Sequence, residues 1–155
     1  MGVFMDRSLR KSKIFLVLLL LMTLISAIAC GSIEQRKQKY FEKGKNYYEQ
    51  QKYKEAIIEF KNSLQIDSKF AQGFYFLGKS YFKLQEWQNS FQAFNQAVAL
   101  DPGLMDAQLM LGNFYFGGKQ IDDALLKANL VLQKEPDNVG AHQLKANCLS
   151  AKDDF

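Results

Sequence analysis

Few residues in this chain could do chemistry, and they do not form a catalytic group. The chain has one histidine, His142, and two cysteines, Cys30 and Cys148. A lone histidine supplies neither the nucleophile–base pair of covalent catalysis nor the set of ligands that a metal ion needs. A cysteine within a helical segment, such as Cys148, is typical of a buried and inert thiol. We therefore predict no catalytic residue, no metal site and no cofactor, and we predict that the protein is not an enzyme.

The segment before Cys30 has the order of a secretory signal. Four basic residues lie within residues 7–13, and residues 14–29 follow as sixteen residues without a charge. A positive start, an apolar middle and small residues at the end are typical of a signal peptide. A membrane-spanning helix needs about twenty apolar residues, so the segment is short for a span. An uncleaved membrane anchor is the alternative.

Most of the net charge of +4 comes from this first segment. Residues 1–13 hold four of the 20 basic residues and one of the 16 acidic ones, so the remainder is nearly neutral. A nearly neutral chain has no basic surface of the kind that binds nucleic acid. We therefore expect no nucleic-acid partner, and with no catalytic residues predicted we also expect no small-molecule substrate.

The residues around Cys30 resemble the lipobox of bacterial lipoproteins. A small residue precedes the cysteine in Ala27-Ile-Ala-Cys30, although the usual leucine is Ala27 here. The resemblance implies a signal peptide at 1–29 that is cleaved before Cys30, a diacylglyceryl thioether on the Cys30 sulfur, and an acyl chain such as palmitate on the new amino group. Residues 30–36 are then the lipidated cysteine and a short linker. Two or three acyl chains give a stable membrane anchor.

A step of 34 residues recurs at several independent positions after residue 36. It separates glycines, tyrosines, small residues and aliphatic residues in successive units. The positions are Gly44, Gly78 and Gly112; Tyr47, Tyr81 and Tyr115; Ala56, Ser90 and Ala124; and Leu64, Val98 and Leu132. A period of this length is typical of a solenoid of helical pairs, whose units must stack to bury their apolar faces.

The pattern within each unit resembles the tetratricopeptide repeat (TPR). In the second unit it comprises Leu77, Gly78 and Tyr81, followed by Ser90 and Phe94. The resemblance implies an all-α TPR helix–turn–helix solenoid after an N-terminal signal or anchor helix, with three full repeats and part of a fourth. The units are TPR 1 at 37–70, TPR 2 at 71–104, TPR 3 at 105–138, and a partial TPR 4 or capping helix at 139–155.

Apolar residues at helical spacing predict two amphipathic helices in each unit. The predicted helices are 37–50, 54–67, 71–84, 88–100, 105–117, 122–134 and 139–152. Pro102 and Pro136 should end the second helices, because the residue before a proline is disfavoured in the helical region. Gly117 and Gly118 are predicted to cap a first helix at its C-terminus.

The fourth unit is incomplete. In register, Phe155 lies where Tyr53, Trp87 and Ile121 stand, which is the turn before a second helix. Two interpretations follow. The helix from residue 139 is a polar cap of the solenoid, or the sequence is a fragment of a longer array, and the aromatic residue at a core position favours the second.

The resemblance also implies a binding surface. In TPR proteins the first helices of successive units line a concave groove. The positions that face it correspond here to Phe41, Lys45, Tyr48, Tyr75, Lys79, Phe82, Asn113 and Phe116. The aromatic residues would anchor a partner peptide, and Lys45 and Lys79 would hold an acidic side chain or a terminal carboxylate. The alternative is that the aromatic residues pack between helices and the lysines are only solvated. The lysine and asparagine of the clamp in chaperone-binding TPR domains fall on Phe41 and Lys45, so chaperone tails are not predicted ligands.

Together these features predict a membrane-anchored scaffold or adaptor in the bacterial cell envelope, with a role in pilus, secretion or exopolysaccharide assembly. Its partners would be another envelope protein or peptide and, through the lipid, the membrane. The absence of aspartate after Cys30 points to the periplasmic side of the outer membrane if the source is Gram-negative. The alternative is that the repeats are the accessory region of a longer envelope enzyme with a catalytic domain beyond residue 155.

Overall fold

The structure is a computed structural model that describes residues 33–153. This part of the chain forms helices and no strands, which confirms the all-α prediction. The helices, numbered along the chain, are α1 (33–49), α2 (Tyr53–Ile66), α3 (Ala71–Lys83), α4 (Trp87–Leu100), α5 (Met105–Gly117), α6 (Ile121–Lys134) and α7 (Val139–Asp153). Each bound lies within one residue of the prediction, except that α1 is described from residue 33, four residues ahead of its predicted start.

Short connections join the helices into stacked hairpins, and each helix from α2 onward packs against the next one along the chain. Glycines on the first helices let their partners approach closely. A Cβ atom at Gly44 would lie 2.6 Å from the ring of Phe60, and one at Gly78 would lie 2.9 Å from the ring of Phe94. Both rings are completely buried. The 34-residue step therefore repeats one contact, a phenylalanine of the second helix on a glycine of the first.

The third hairpin replaces this contact. Its position equivalent to Phe60 and Phe94 holds Ala128, which is too small to reach α5. Leu144 of α7 covers the glycine instead, since a Cβ at Gly112 would lie 2.6 Å from its Cδ2 atom. Helix α7 thereby completes the core of the third unit, whatever follows it in the chain.

The turn inside each hairpin has the same hydrogen bonds. In the first, the backbone N–H of Gln51 donates to the carbonyl of Tyr48 (3.0 Å) and that of Lys52 donates to the carbonyl of Tyr47 (2.9 Å). This pair of bonds defines a Schellman motif, whose central residue has a positive φ. In the first, second and third hairpins that residue is Gln51, Gln85 and Lys119, with φ of 61°, 61° and 59°.

The helix cap predicted at Gly117 and Gly118 is confirmed in position, because Gly118 is the C-cap residue of α5. Helix α5 does end there, but the left-handed residue is Lys119, and neither glycine has a positive φ. The 34-residue step decides the turn geometry, because it places Lys119 in register with Gln51 and Gln85. The two glycines are not required by the backbone.

No helix within residues 33–153 is long and apolar enough to cross a membrane. The apolar segment 14–29 and the predicted lipidation residue Cys30 lie outside the described residues. Their assignment stays a prediction from the sequence.

Candidate functional site

The predicted groove residues lie on the first helices of the three hairpins. Helix α1 carries Phe41, Lys45 and Tyr48; α3 carries Tyr75, Lys79 and Phe82; and α5 carries Asn113 and Phe116. Residues separated by three or four positions share one face of a helix. Contacts between aromatic rings show that the three helices are neighbours. The ring centroid of Tyr48 on α1 lies 6.2 Å from that of Phe76 on α3, and the ring centroid of Phe82 on α3 lies 5.9 Å from that of Phe114 on α5.

Phe41 does not belong to the exposed groove surface. Its side chain is only 7% exposed, and its ring centroid lies 4.8 Å from that of Phe70 and 5.4 Å from that of Phe76. These edge-to-face contacts place it in the core between α1, α2 and α3. For Phe41, and likewise for Phe116, the alternative that groove aromatics pack between helices applies.

Lys79 is the charged residue at the centre of the site. Its ammonium nitrogen lies 5.1 Å from the ring centroid of Tyr48, 5.2 Å from that of Tyr75 and 5.1 Å from that of Phe76. An ammonium within about 6 Å of a ring face is attracted by the ring quadrupole. Burial lowers the pKa of Lys79, while the Asp106 carboxylate acts in the opposite sense. The site therefore holds a partly desolvated cation among three rings on two helices.

Tyr75 connects this cluster to α5. Burial is the main cause that raises the pKa of its hydroxyl well above the ordinary range, and the Asp106 carboxylate adds to it by its charge and a hydrogen bond. Phe76, which the predicted set omits, contacts the rings of Phe41, Tyr48, Phe60 and Tyr75. Its position three residues before Lys79 on one helix was the signal in the sequence that could have identified it.

Lys45 is a weaker candidate for binding an anion. Its Nζ atom lies 3.2 Å from a carboxylate oxygen of Glu42, one helical turn earlier, and 5.7 Å from the centroid of the Phe41 ring. A carboxylate of the same chain already compensates its charge. Lys79 is therefore the better anion-binding cation of the two.

The last three predicted groove residues do not lie at one place. Phe82 and Asn113 line one concavity of about 530 Å³, together with Trp87, Phe114, Gly117 and Gly118. Phe116 lies elsewhere on α5 and packs against the cluster of Ala124, Ala128 and Leu144. Trp87 and Phe114 were missed because they lie outside the helix positions that the repeat pattern assigns to the groove.

No group of three or more His, Cys, Asp or Glu side chains within residues 33–153 could hold a metal ion. The His142 ring is exposed and its Nε2 atom lies 2.7 Å from the carbonyl oxygen of Pro136. Burial raises the pKa of the Cys148 thiol, which disfavours the reactive thiolate.

Residues 73–80 match the Gly-x-x-x-x-Gly-Lys-Ser/Thr pattern of a phosphate loop, but their structure does not. The motif needs a glycine-rich loop between a strand and a helix, with free backbone N–H groups. Here all eight residues lie inside α3. Gly73 and Gly78 are buried, and the Ser80 hydroxyl donates to the carbonyl of Phe76 at 2.8 Å. The match is a by-product of helix packing.

Family models match a region that contains part of the site. A TPR repeat model covers residues 44–85, and a tetratricopeptide repeat model covers residues 71–104. A search of curated proteins finds no significant match. The chain therefore contains tetratricopeptide repeats, and the matched units include α3, which carries Tyr75, Lys79 and Phe82.

Solved structures share the fold over about three quarters of the chain. The first TPR of Spaghetti (RPAP3), bound to the HSP90 peptide SRMEEVD, is 26% identical with a TM-score of 0.71, covering 76% of this chain and 93% of that one. MamA is 25% identical with a TM-score of 0.70, covering 76% and 68%. The Arabidopsis OM64 TPR domain, at 17% identity and a TM-score of 0.72, covers 77% and 98% and shows likeness of fold alone.

Proposed function

We propose that this chain is a membrane-anchored protein–protein interaction scaffold of the bacterial cell envelope. It binds a peptide segment of another envelope protein on the surface formed by α1, α3 and α5. TPR proteins are typically non-catalytic interaction modules, and similar TPR domains have been solved with bound peptides, including an HSP70 peptide on the second TPR domain of human RPAP3. The lipidated Cys30 at the end of a signal peptide provides the anchor.

The observation that carries the binding proposal is the cluster around Lys79. An ammonium surrounded by three rings combines a charge with apolar contact area, which is the composition of an interaction hot spot. A carboxylate of the partner would pair with Lys79 in a partly desolvated setting, where a charge pair is stronger than in bulk water. The rings of Tyr48, Tyr75 and Phe82 would contact the neighbouring side chains.

This chemistry defines the partner as a peptide segment with an acidic group next to apolar side chains. It does not reproduce the clamp for chaperone tails, because Phe41 is buried and Lys45 is paired with Glu42. The peptides in the similar structures are therefore a precedent for the surface used and not for the sequence bound.

The test is partner capture by paired variants of the full chain in the native host. A photo-crosslinking residue at the exposed position Asn113 would trap the partner, and mass spectrometry would identify it. We expect Lys79→Ala with Phe82→Ala to abolish the crosslink while the protein keeps its helical circular dichroism. The matched control is Lys54→Ala with Ile58→Ala, which changes the same residue classes on exposed positions of α2. Equal crosslinking in both double variants would refute the binding surface.

A further inference from the structure

The concavity between the second and third hairpins has a wall of aromatic rings. The Phe82 ring centroid lies 5.2 Å from that of Trp87 and 5.9 Å from that of Phe114, both edge-on. Trp87 is 50% exposed although it is the largest side chain of the region. None of the six residues that line the concavity carries a charge. The aromatic side chains at this place are therefore more exposed to solvent than those buried elsewhere in the array.

The two glycines at its edge have no structural requirement. Neither has a positive φ, and a Cβ at Gly117 would meet no atom within 4 Å. Glycine weakens a helix relative to alanine, so the end of α5 is less stable than it could be. Both glycines line the concavity, so larger side chains there would take up part of its space.

The equivalent place one repeat earlier carries larger side chains. Thirty-four residues before the lining residues stand Tyr48, Tyr53, Lys79, Ser80, Lys83 and Leu84. The Tyr48 and Tyr53 rings form the same edge-on pair, with centroids 5.4 Å apart. We call the contact between the first and second hairpins the first interface, and the contact between the second and third hairpins the second interface. Where the second interface has Gly117 and Gly118, the first has Lys83 and Leu84. Where the second has Asn113, the first has Lys79, whose ammonium lies 5.1 Å from the Tyr48 centroid.

The two places differ in the charge that the chain itself supplies. The first supplies its own cation to the aromatic ring, whereas the second has an equivalent ring, Phe82, and a tryptophan but no charged residue among those that line it. Tryptophan is the best aromatic partner for a cation. The Asn113 amide oxygen lines the same space and can accept a hydrogen bond from a guanidinium or ammonium group.

We propose that this concavity is a subsite for an arginine or lysine side chain of the partner protein. The inference rests on the proposed function and refines it. The partner segment would place an acidic group at Lys79 and a basic group one repeat further along, at Trp87. The opposite charges would fix the direction in which the segment lies along the groove, since reversal would bring like charges together at Lys79.

Trp87 makes the subsite observable, because it is the only tryptophan of the chain. Its indole N–H gives a single resonance in a ¹H–¹⁵N spectrum of the full chain in detergent micelles. The probes are three blocked pentapeptides that differ only in a central arginine, citrulline or leucine. We expect the arginine peptide to move the indole resonance saturably, with an affinity at least fivefold higher than that of the uncharged citrulline peptide.

A closed variant provides the control. Gly117→Lys with Gly118→Leu introduces the residues of the first interface, and the backbone allows both because each position has a negative φ. We expect this double variant to lose the response to the arginine peptide. Gln133→Lys adds the same charge at an exposed position of α6, and we expect it to keep the response. A leucine peptide that binds as tightly as the arginine peptide, or no response in the unmodified chain, would overturn the inference.

Failure of this inference is distinguishable from failure of the proposed function. The closed variant leaves Tyr48, Tyr75 and Lys79 unchanged. If the partner is captured at these residues but the arginine peptide gives no response, the cation subsite is wrong and the scaffold function remains. If the arginine peptide responds but no partner depends on Lys79 and Phe82, the subsite remains and the proposed function is wrong.

Discussion

Single glycines in this array have opposite roles, and exchange for alanine separates them. Gly44→Ala would place a methyl group 2.6 Å from the completely buried Phe60 ring. That clash should outweigh the gain in helix propensity and lower the free energy of unfolding by about 1–3 kcal/mol. Gly117→Ala meets no atom within 4 Å and should raise it by about 0.5 kcal/mol. Urea denaturation measures both, and changes of the same sign would contradict this packing.

At Tyr75 the residue-scale prediction concerns alkaline pH. The raised pKa means that the unfolded chain releases the phenolic proton first, near the ordinary tyrosine pKa of about 10. The contribution of Tyr75 to stability is therefore complete below this pH and is lost as the pH rises above it. Tyr75→Phe should lose less stability than the unmodified chain between about pH 9 and 11.

Urea midpoints across this range test the prediction, and Tyr115→Phe controls for removal of a tyrosine hydroxyl elsewhere in the array. The lowered pKa of Lys79 makes stability depend on pH in the opposite sense. Lys79 is present in both Tyr75→Phe and the unmodified chain, so its effect is common to the two pH profiles. Parallel pH profiles for Tyr75→Phe and the unmodified chain would exclude a raised pKa at Tyr75.

The groove residues show what sequence reasoning at this scale can reach. The repeat register places Tyr48, Tyr75 and Lys79 on adjacent helices. In the structure the ring centroids of both tyrosines lie within 5.2 Å of the Lys79 ammonium nitrogen. The same register could not indicate that Phe41 is buried. Its burial depends on Phe70 and Phe76, which come from a loop and another helix. A side chain's exposure is decided by its neighbours in space, which a periodic pattern does not contain.

Helix α7 acts as a structural element of the third hairpin. Its Leu144 is 1% exposed and fills the space above Gly112, where Ala128 is too small. Leu144→Ala should lower the free energy of unfolding by about 2–5 kcal/mol, because the cavity cannot close around a glycine. Leu149→Ala on the same helix, at a position 45% exposed, should change it by less than about 0.5 kcal/mol. Equal effects in urea denaturation would mean that α7 does not pack as described.

The turns show why element boundaries were predicted well and turn chemistry was not. Periodicity and prolines located the ends of α4 and α6 at Leu100 and Lys134. The Gly117–Gly118 pair suggested a left-handed glycine, yet the left-handed residue is Lys119. Two hydrogen bonds fix this residue by its distance from the helix end. A favourable residue one position away cannot move it.

At the scale of the whole molecule, the 34-residue step was sufficient to predict the solenoid. Each unit repeats the same interfaces, so a few residue types at fixed spacing determine the architecture. Function depends on where the units differ. Lys79 and Asn113 occupy the same register, as do Leu84 and Gly118, and these differences give one interface a cation and the other an open aromatic surface. Their consequence is visible only when both interfaces are compared in three dimensions.

The position of the anchor relative to the array gives the last prediction. The first described residue of α1, residue 33, lies three residues after Cys30 in the sequence, so a lipid on that cysteine would hold the start of the solenoid within roughly 10 Å of the membrane surface. The protein extracted from membranes should have the mass of a chain that starts at Cys30 and carries acyl groups. Cys30→Ser should lose the acyl mass, while Cys148→Ser should keep it, because the Cys148 thiol is completely buried. A mass that includes Met1 without lipid would instead identify an uncleaved anchor, and the solenoid would then be tethered through residues 1–29.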